Sequence, residues 1–454
     1  MTADESTISL RSRVFGASVW VLAGFGASQV IRLGSSLIMT RLLMPEMFGV
    51  MAIANIFLVG LALFSDLGLR QNIIQSKRGD DPLFLNTVWT IQILRGAVLW
   101  ALTIGVGLML NSLSDRWLGT GVYAHPILPF VVGMLAINAL IGGFESTKIA
   151  TANRKLVLGK FTQIEIISQL AGLTFTISWA LLDRSIWALV AGSIISTLTR
   201  TFLSHTMLPG ETNRFQWEAD AFHDVVYFGK WIFLSSILGF LLRNGDRLIL
   251  GGLVDATTLG LYSIAFLLLG VFQRALGKFR TMVIFPVLSI KFREKESNIV
   301  GVYYKFRLIQ DAVISIVVGF VFVSGEAIID LLYDDRYLGA GQMLQILSLM
   351  LISQRYALAD HCYLAMGKPR LMTLLISIRM LLLYLSLPVG YYLYGMDGAL
   401  WGIAVSNLLA IPFALFLKAR FDMLDAKKEF LTIPLVLPGA AFGWILVKLV
   451  PYLT

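Results

Sequence analysis

Cysteine is all but absent from the 454-residue chain. The single Cys362 excludes an intramolecular disulfide framework and any cysteine-based metal centre. Histidine is scarce too. His125, His205, His223 and His361 stand far apart, so neither an HExxH helix nor a histidine cluster is present, and no metal site is expected. Charge is the third shortage: 14% of residues are charged and 57% hydrophobic, where soluble domains carry about 25% charged residues. A soluble core of this size would need a polar skin, and the chain has too few charges to supply one. No hydrophilic stretch is long enough for a separate soluble domain.

What is present is a series of apolar runs. A membrane-spanning helix needs roughly 20 mostly apolar residues. Runs of that kind occupy 15–39, 48–69, 86–110, 124–147, 161–182, 186–207, 229–250, 258–285, 303–325, 340–362, 371–393, 399–417 and 431–450. The fold class is all-α, a polytopic membrane protein. Breakers stand between the runs at Pro45, Asp80-Asp81-Pro82, Gly367-Lys368-Pro369 and Gly395-Met396-Asp397-Gly398, while Pro388 and Pro412 fall inside runs, where they favour kinks. The first run is longer than a signal-peptide core and has no evident cleavage site, so it reads as a retained helix.

The formal net charge is +9, yet the basic residues gather on no soluble patch, so no nucleic-acid partner is expected. They sit in short loops and at span ends. With the N-terminus inside, the outer side holds only Arg41, Arg116, Arg184, Arg247, Arg336 and Lys448, while Arg70, Lys77, Arg78, Arg154, Lys155, Lys368 and Lys428 fall inside. The positive-inside rule selects that orientation.

An internal repeat organises the runs. Shifted by a constant 211 residues, Trp20 meets Trp231, Arg32 meets Arg243, Gly34 meets Gly245, Gly49 meets Gly260, and Ile53-Ala54 meets Ile264-Ala265. The shift equals six runs, so both copies share one orientation. Parallel repeats of this type mark transporters that rock two halves about a midplane site. The expected parts are a first lobe at 1–207, a polar inner connector at 208–228, a second lobe at 229–417, and a loop with an extra span at 418–454.

The run Thr40-Arg41-Leu42-Leu43-Met44-Pro45-Glu46-Met47-Phe48-Gly49 resembles the loop between the first two helices of polysaccharide exporters. So do Ser65-Asp66-Leu67-Gly68-Leu69, Asn244-Gly245-Asp246-Arg247-Leu248 and Leu259-Gly260-Leu261-Tyr262. The chain thus resembles the oligosaccharide flippases (the Wzx or polysaccharide transport group) of the multidrug, oligosaccharidyl-lipid and polysaccharide exporter superfamily. That resemblance implies two six-helix lobes around a central cavity, alternating access in the bacterial inner membrane, and an undecaprenyl-diphosphate-linked glycan as cargo. It further implies a protein that makes and breaks no bond, acting as a monomer among membrane lipids, beside polysaccharide polymerase and export machinery.

Charges inside the apolar runs are the candidate site. An arginine at a helix centre costs roughly 2.5–3.5 kcal/mol to insert, and its guanidinium grips phosphate oxygens as a fork. Arg32, Arg243, Arg95, Arg355 and Arg379 are therefore the candidate substrate-binding residues, led by the repeat-related Arg32 and Arg243, expected to face each other across the cavity. Against this stand snorkelling to headgroups for Arg95 and Arg379, and structural ion pairs for Arg355 and Arg243. Asp66, Asp246, Glu145, Asp311 and Asp360 are candidates for coupling or gating, since a buried carboxylate can carry a proton or Na⁺; as plain partners for the arginines they would do neither. No other cofactor is expected. The competing readings are a cation-coupled multidrug or metabolite exporter, which five intraspan arginines disfavour, and a polyprenyl-glycan polymerase or ligase, for which the outer loops are short.

Overall fold

The computed structural model describes residues 3–64, 68–117, 121–155, 157–293 and 299–452. Asp66 and its neighbours Ser65 and Leu67 lie outside the described residues. The described chain is helix joined by short turns, with no strand among the described residues. Contacts divide it into two compact units: Met1–Leu43 with Val50–Phe240, and Met44–Gly49 with Leu241–Thr454.

The first unit contains α1 (Ala3–Leu42), most of α2 (Pro45–Phe64), α3 (Leu69–Gln75), α4 (Pro82–Trp117), α5 (Leu128–Leu135), α6 (Ile137–Gly143), α7 (Lys148–Arg154), α8 (Leu158–Leu182), α9 (Ile186–Thr206) and the start of α10 (Ala219–Leu253). Helix α8 packs on both α1 and α9, and α4 packs on α5 and α6. Polar side chains fasten residues 208–218 to this unit. Asn213 Oδ1 accepts from Ser146 Oγ (2.6 Å), Asn86 Nδ2 donates to Gln216 Oε1 (2.7 Å), and Phe215 packs on Trp89 with ring centroids 5.0 Å apart.

The second unit continues with α11 (Ala256–Phe279), α12 (Phe285–Arg293), α13 (Ile299–Leu332), α14 (Ala340–Ser348), α15 (Ala357–Ala365), α16 (Pro369–Arg420), α17 (Ala426–Phe430) and α18 (Val436–Leu449). Asp255 caps α11, its carboxylate accepting from Thr258 N at 3.0 Å and Thr258 Oγ1 at 2.7 Å. Helix α13 lies along α18 and α14.

Among the described residues nine helices are long and apolar enough to cross a membrane, or up to ten if the pair Leu128–Gly143 and Lys148–Arg154, bent by 61°, is one span. Each of the thirteen apolar runs overlaps helix among the described residues. Two share α16, whose direction reverses at Tyr394 and Gly395; Gly395 has φ 61°, a conformation open to a residue without Cβ. Ser386 Oγ reaches Gly402 O at 2.8 Å across this hairpin. The break falls at the glycine, while Pro388 and Pro412 stay within helical backbone. The run 340–362 is broken: α14 passes through a 3₁₀ stretch, Leu349–Arg355, into α15. The run 258–285 continues from α11 through a π-helical turn, Arg280–Ile284, into α12.

The first turn of α2 belongs with the second unit because the repeat meets itself there. A Cβ on Gly49 would strike the Ala256 carbonyl, and one on Gly260 would strike the Pro45 carbonyl. Pro45 and Ala256 are themselves 211 residues apart, so the two copies make one reciprocal contact.

Candidate functional site

In the second unit, the helix breaks open a polar cavity of about 200 Å³. Arg243 and Asp246 come from α10, Gln273 from α11, Ser353 and Gln354 from the 3₁₀ stretch, and Arg379, Ser406 and Asn407 from the two arms of α16. A continuous α-helix keeps its amides satisfied; unwinding at 349–355 frees backbone groups. One of them, the Gln354 carbonyl, accepts from Arg280 Nη1 at 3.1 Å, while Gln354 Oε1 accepts from Arg280 Nη2 at 2.9 Å. Arg280 is therefore buried in protein at 3% exposure. Arg243 is exposed. Asp246 is buried and accepts from the Tyr262 hydroxyl through Oδ2, while Oδ1 has no hydrogen-bond partner among the described residues. Arg379 is held by Asp360 at 3.0 Å.

Arg355 and Asp311 belong to a different assembly. Arg355 Nη2 donates to the Glu429 carbonyl (3.0 Å) and to Thr432 Oγ1 (2.7 Å), and lies 3.2 Å from Asp311 Oδ2. Asp311 also accepts from Arg307 Nε at 3.0 Å. Glu429 Oε1 receives Arg307, Lys418 and the Tyr304 hydroxyl. Arg307, Lys418 and Asp311 are fully buried. Sequence reasoning missed Arg307, Lys418 and Glu429. The Arg307/Asp311 spacing of four residues inside an apolar run was the available signal for an intrahelical pair.

In the first unit, Arg32 is exposed part-way along its apolar helix. Arg95 Nη2 donates to the Ala62 carbonyl at 2.6 Å and lines a cavity with Gln92 and Glu145. Glu145 accepts from Arg200 Nε at 2.6 Å, and Arg200 Nη1 also reaches Glu165 at 3.4 Å. At the loop ends, Lys155 Nζ lies 2.9 Å and Arg154 Nε 3.2 Å from Asp80, while Arg78 bridges Asp81 and Glu218, each at 2.6 Å. The hydrogen bond from Lys155 holds the Asp80 carboxyl below the usual carboxylate range, and the Arg78 guanidinium does the same for Asp81.

Long apolar helices, charges held inside them and a polar cavity at a helix break define a multi-pass membrane protein. The chain belongs to the polysaccharide biosynthesis protein family, whose profile matches residues 38–342, and the resemblance drawn from the turn motifs thereby holds. It is similar to the lipopolysaccharide biosynthesis protein WzxC of Escherichia coli K12, 22% identical over 309 residues, 66% of this chain and 58% of that one. It is also similar to the teichuronic acid biosynthesis protein TuaB of Bacillus subtilis, 21% identical over 286 residues, 63% and 57% of the respective chains. A putative O-antigen transporter of Shigella flexneri is 27% identical over 303 residues, 62% and 68%. The match spans under three fifths of the length of the first two relatives. Among solved structures the fold is shared with an inward-facing MATE-family multidrug resistance transporter of the MOP superfamily (TM-score 0.64, 14% identity, 87% of this chain and 94% of that one). It is shared equally with the lipid II flippase MurJ in an inward closed conformation (TM-score 0.62, 11% identity, 95% and 98%).

Proposed function

We propose that this chain carries an undecaprenyl-diphosphate-linked oligosaccharide from the inner to the outer leaflet of the bacterial cytoplasmic membrane by alternating access, its N-terminus cytoplasmic. The glycan would serve exopolysaccharide, O-antigen or capsule assembly. The observation that carries the reading is the polar cavity holding Arg243 and Arg379 among amide and hydroxyl side chains. Guanidinium groups stabilise a diphosphate that would otherwise enter a low-dielectric region uncompensated, and amides and hydroxyls suit sugar hydroxyls. The names of the relatives, two from polysaccharide assembly and one an O-antigen transporter, agree with that chemistry. Arg32, exposed at the repeat-equivalent of Arg243, is assigned the same task in the first unit. Arg355 and Asp311, enclosed by partners, are assigned a structural one. Asp246 is the carboxylate we assign to H⁺ or Na⁺ coupling, because its buried Oδ1 has no hydrogen-bond partner among the described residues, and an unmet buried acceptor is costly.

The test is transport of a fluorescent polyprenyl-diphosphate oligosaccharide in proteoliposomes. Arg243→Ala removes an exposed side chain, so folding is spared, and we expect the initial rate to fall about tenfold or more, the value of one charge-assisted hydrogen bond. Wild-type rates from Arg243→Ala and Arg32→Ala at equal incorporation would overturn the assignment.

A further inference from the structure

A second cavity, wholly within the first unit, has an amphipathic form. Its polar end, about 330 Å³, is lined by Arg70, Gln71, Gln92, Arg95 and Glu145. Its apolar end, about 300 Å³, is lined by Leu58, Val59, Leu99 and Ala139. The two ends join along Ala62, Gln92, Arg95 and Gly142, which line both. Volumes of this size are those of small-molecule sites.

The charges at the polar end are unequally committed. Glu145 is engaged by Arg200, which also reaches Glu165, so three guanidiniums face two carboxylates. Gln92 spends its amide donor on the carbonyls of Gly142, Gly143 and Glu145. Arg70 makes a ring contact, 5.1 Å to the Phe161 centroid, and no hydrogen bond among the described residues. Burial first, and the Arg200 guanidinium second, press its pKa below the ordinary arginine value. An arginine stays charged under such pressure, so an anion beside it is favoured.

We propose that Arg70 and Arg95 form a binding site for the diphosphate of a polyprenyl carrier, the first isoprene units lying in the groove beside Val59 and Leu99. Two guanidiniums match two phosphate groups, Arg95 while still holding the Ala62 carbonyl, whereas a bilayer phospholipid offers one phosphate and two chains. The site is separate from the Arg243 cavity, and it rests on the flippase reading for the identity of the carrier. It would hold the carrier before or after its passage.

The probe is farnesyl diphosphate, titrated onto the full-length protein in zwitterionic nanodiscs and read by native mass spectrometry. Titration in an Arg243→Ala background lowers the other cavity's contribution. One equivalent should bind, and Arg70→Gln should weaken it about tenfold or more; Arg70 holds no backbone group, so the fold survives. Val59→Trp alters an exposed wall and should weaken farnesyl diphosphate while leaving inorganic diphosphate unchanged. Undiminished affinity in Arg70→Gln overturns the site, as does displacement of the probe by equimolar phosphatidylglycerol. Failure of the wild-type protein to transport the polyprenyl-diphosphate oligosaccharide in proteoliposomes would instead remove the flippase reading and leave the binding result standing, so the two failures are separable.

Discussion

Glu429 is the residue on which the interior of the second unit turns. One of its oxygens receives Arg307, Lys418 and Tyr304, each from a different position in the chain, and it sits at 1% exposure. Three cations, Arg307, Arg355 and Lys418, share two anions, Asp311 and Glu429. Removing one anion from such a set leaves charges buried without compensation, a loss of about 3–5 kcal/mol. Glu429→Gln should therefore destabilise the protein by that amount in detergent unfolding, whereas Glu429→Gln with Lys418→Met should cost less than the two changes summed. A single variant within about 0.5 kcal/mol of wild type, the range of surface substitutions, would show that the network is solvated. Little of this cluster was legible in the sequence. Glu429 follows Lys427 and Lys428 directly, so it read as part of a basic inner loop. Its burial comes from the short helix α17, which places it against α13, a contact between residues 122 apart. By contrast Arg243, Asp246 and Arg379, chosen because an intraspan charge is expensive, line one cavity. Local cost is readable from a sequence, while the partner that offsets it is not.

At the scale of elements, hydrophobic run length located helices well, and helix interruptions poorly. The hairpin at Tyr394–Gly395 was marked by its glycines, because a positive φ selects glycine. The 3₁₀ stretch Leu349–Arg355 and the π turn Arg280–Ile284 had no such mark. Neither contains a glycine or proline, and periodicity is blind to which carbonyl each amide chooses. The repeat was legible as matched letters, and the structure adds the reason for one of its glycine pairs. Gly49 and Gly260 let two backbones approach until a Cβ on either would strike the other's partner carbonyl. Small residues serve close helix packing in membranes, where apolar side chains gain nothing over lipid. Gly260→Val should thus force the contact apart and cost about 1–3 kcal/mol, the usual range for overpacking, with Gly49→Val costing as much. Gly277→Ala is the control, since nothing lies within 4 Å of its Cβ position. Equal melting temperatures for Gly260→Val and Gly277→Ala would sink the packing argument.

For the whole molecule, loop charge predicts a membrane topology, and each unit can be asked about it independently. The expected order places Lys155 inside and Arg184 outside in the first unit, and Lys368 inside and Arg336 outside in the second. All four side chains are exposed. The lone native Cys362 is fully buried, so single cysteines introduced at these four positions report their own environment, with Cys362→Ala as background. A membrane-impermeant maleimide applied to intact spheroplasts should label Arg184→Cys and Arg336→Cys, and should reach Lys155→Cys and Lys368→Cys only after permeabilisation. The physical basis is the bias of Lys and Arg toward short cytoplasmic loops. The expectation is unequal in strength across the chain: the inner loop at 154–155 adds two basic residues, while Arg184 is preceded by Asp183, which contributes little to orientation. Labelling of Lys155→Cys from outside would reverse the first unit, and of Lys368→Cys the second. Either reversal alone would break the six-span parity on which the shared orientation of the two repeats depends, because helices displaced by an even number of crossings must enter the bilayer from the same side.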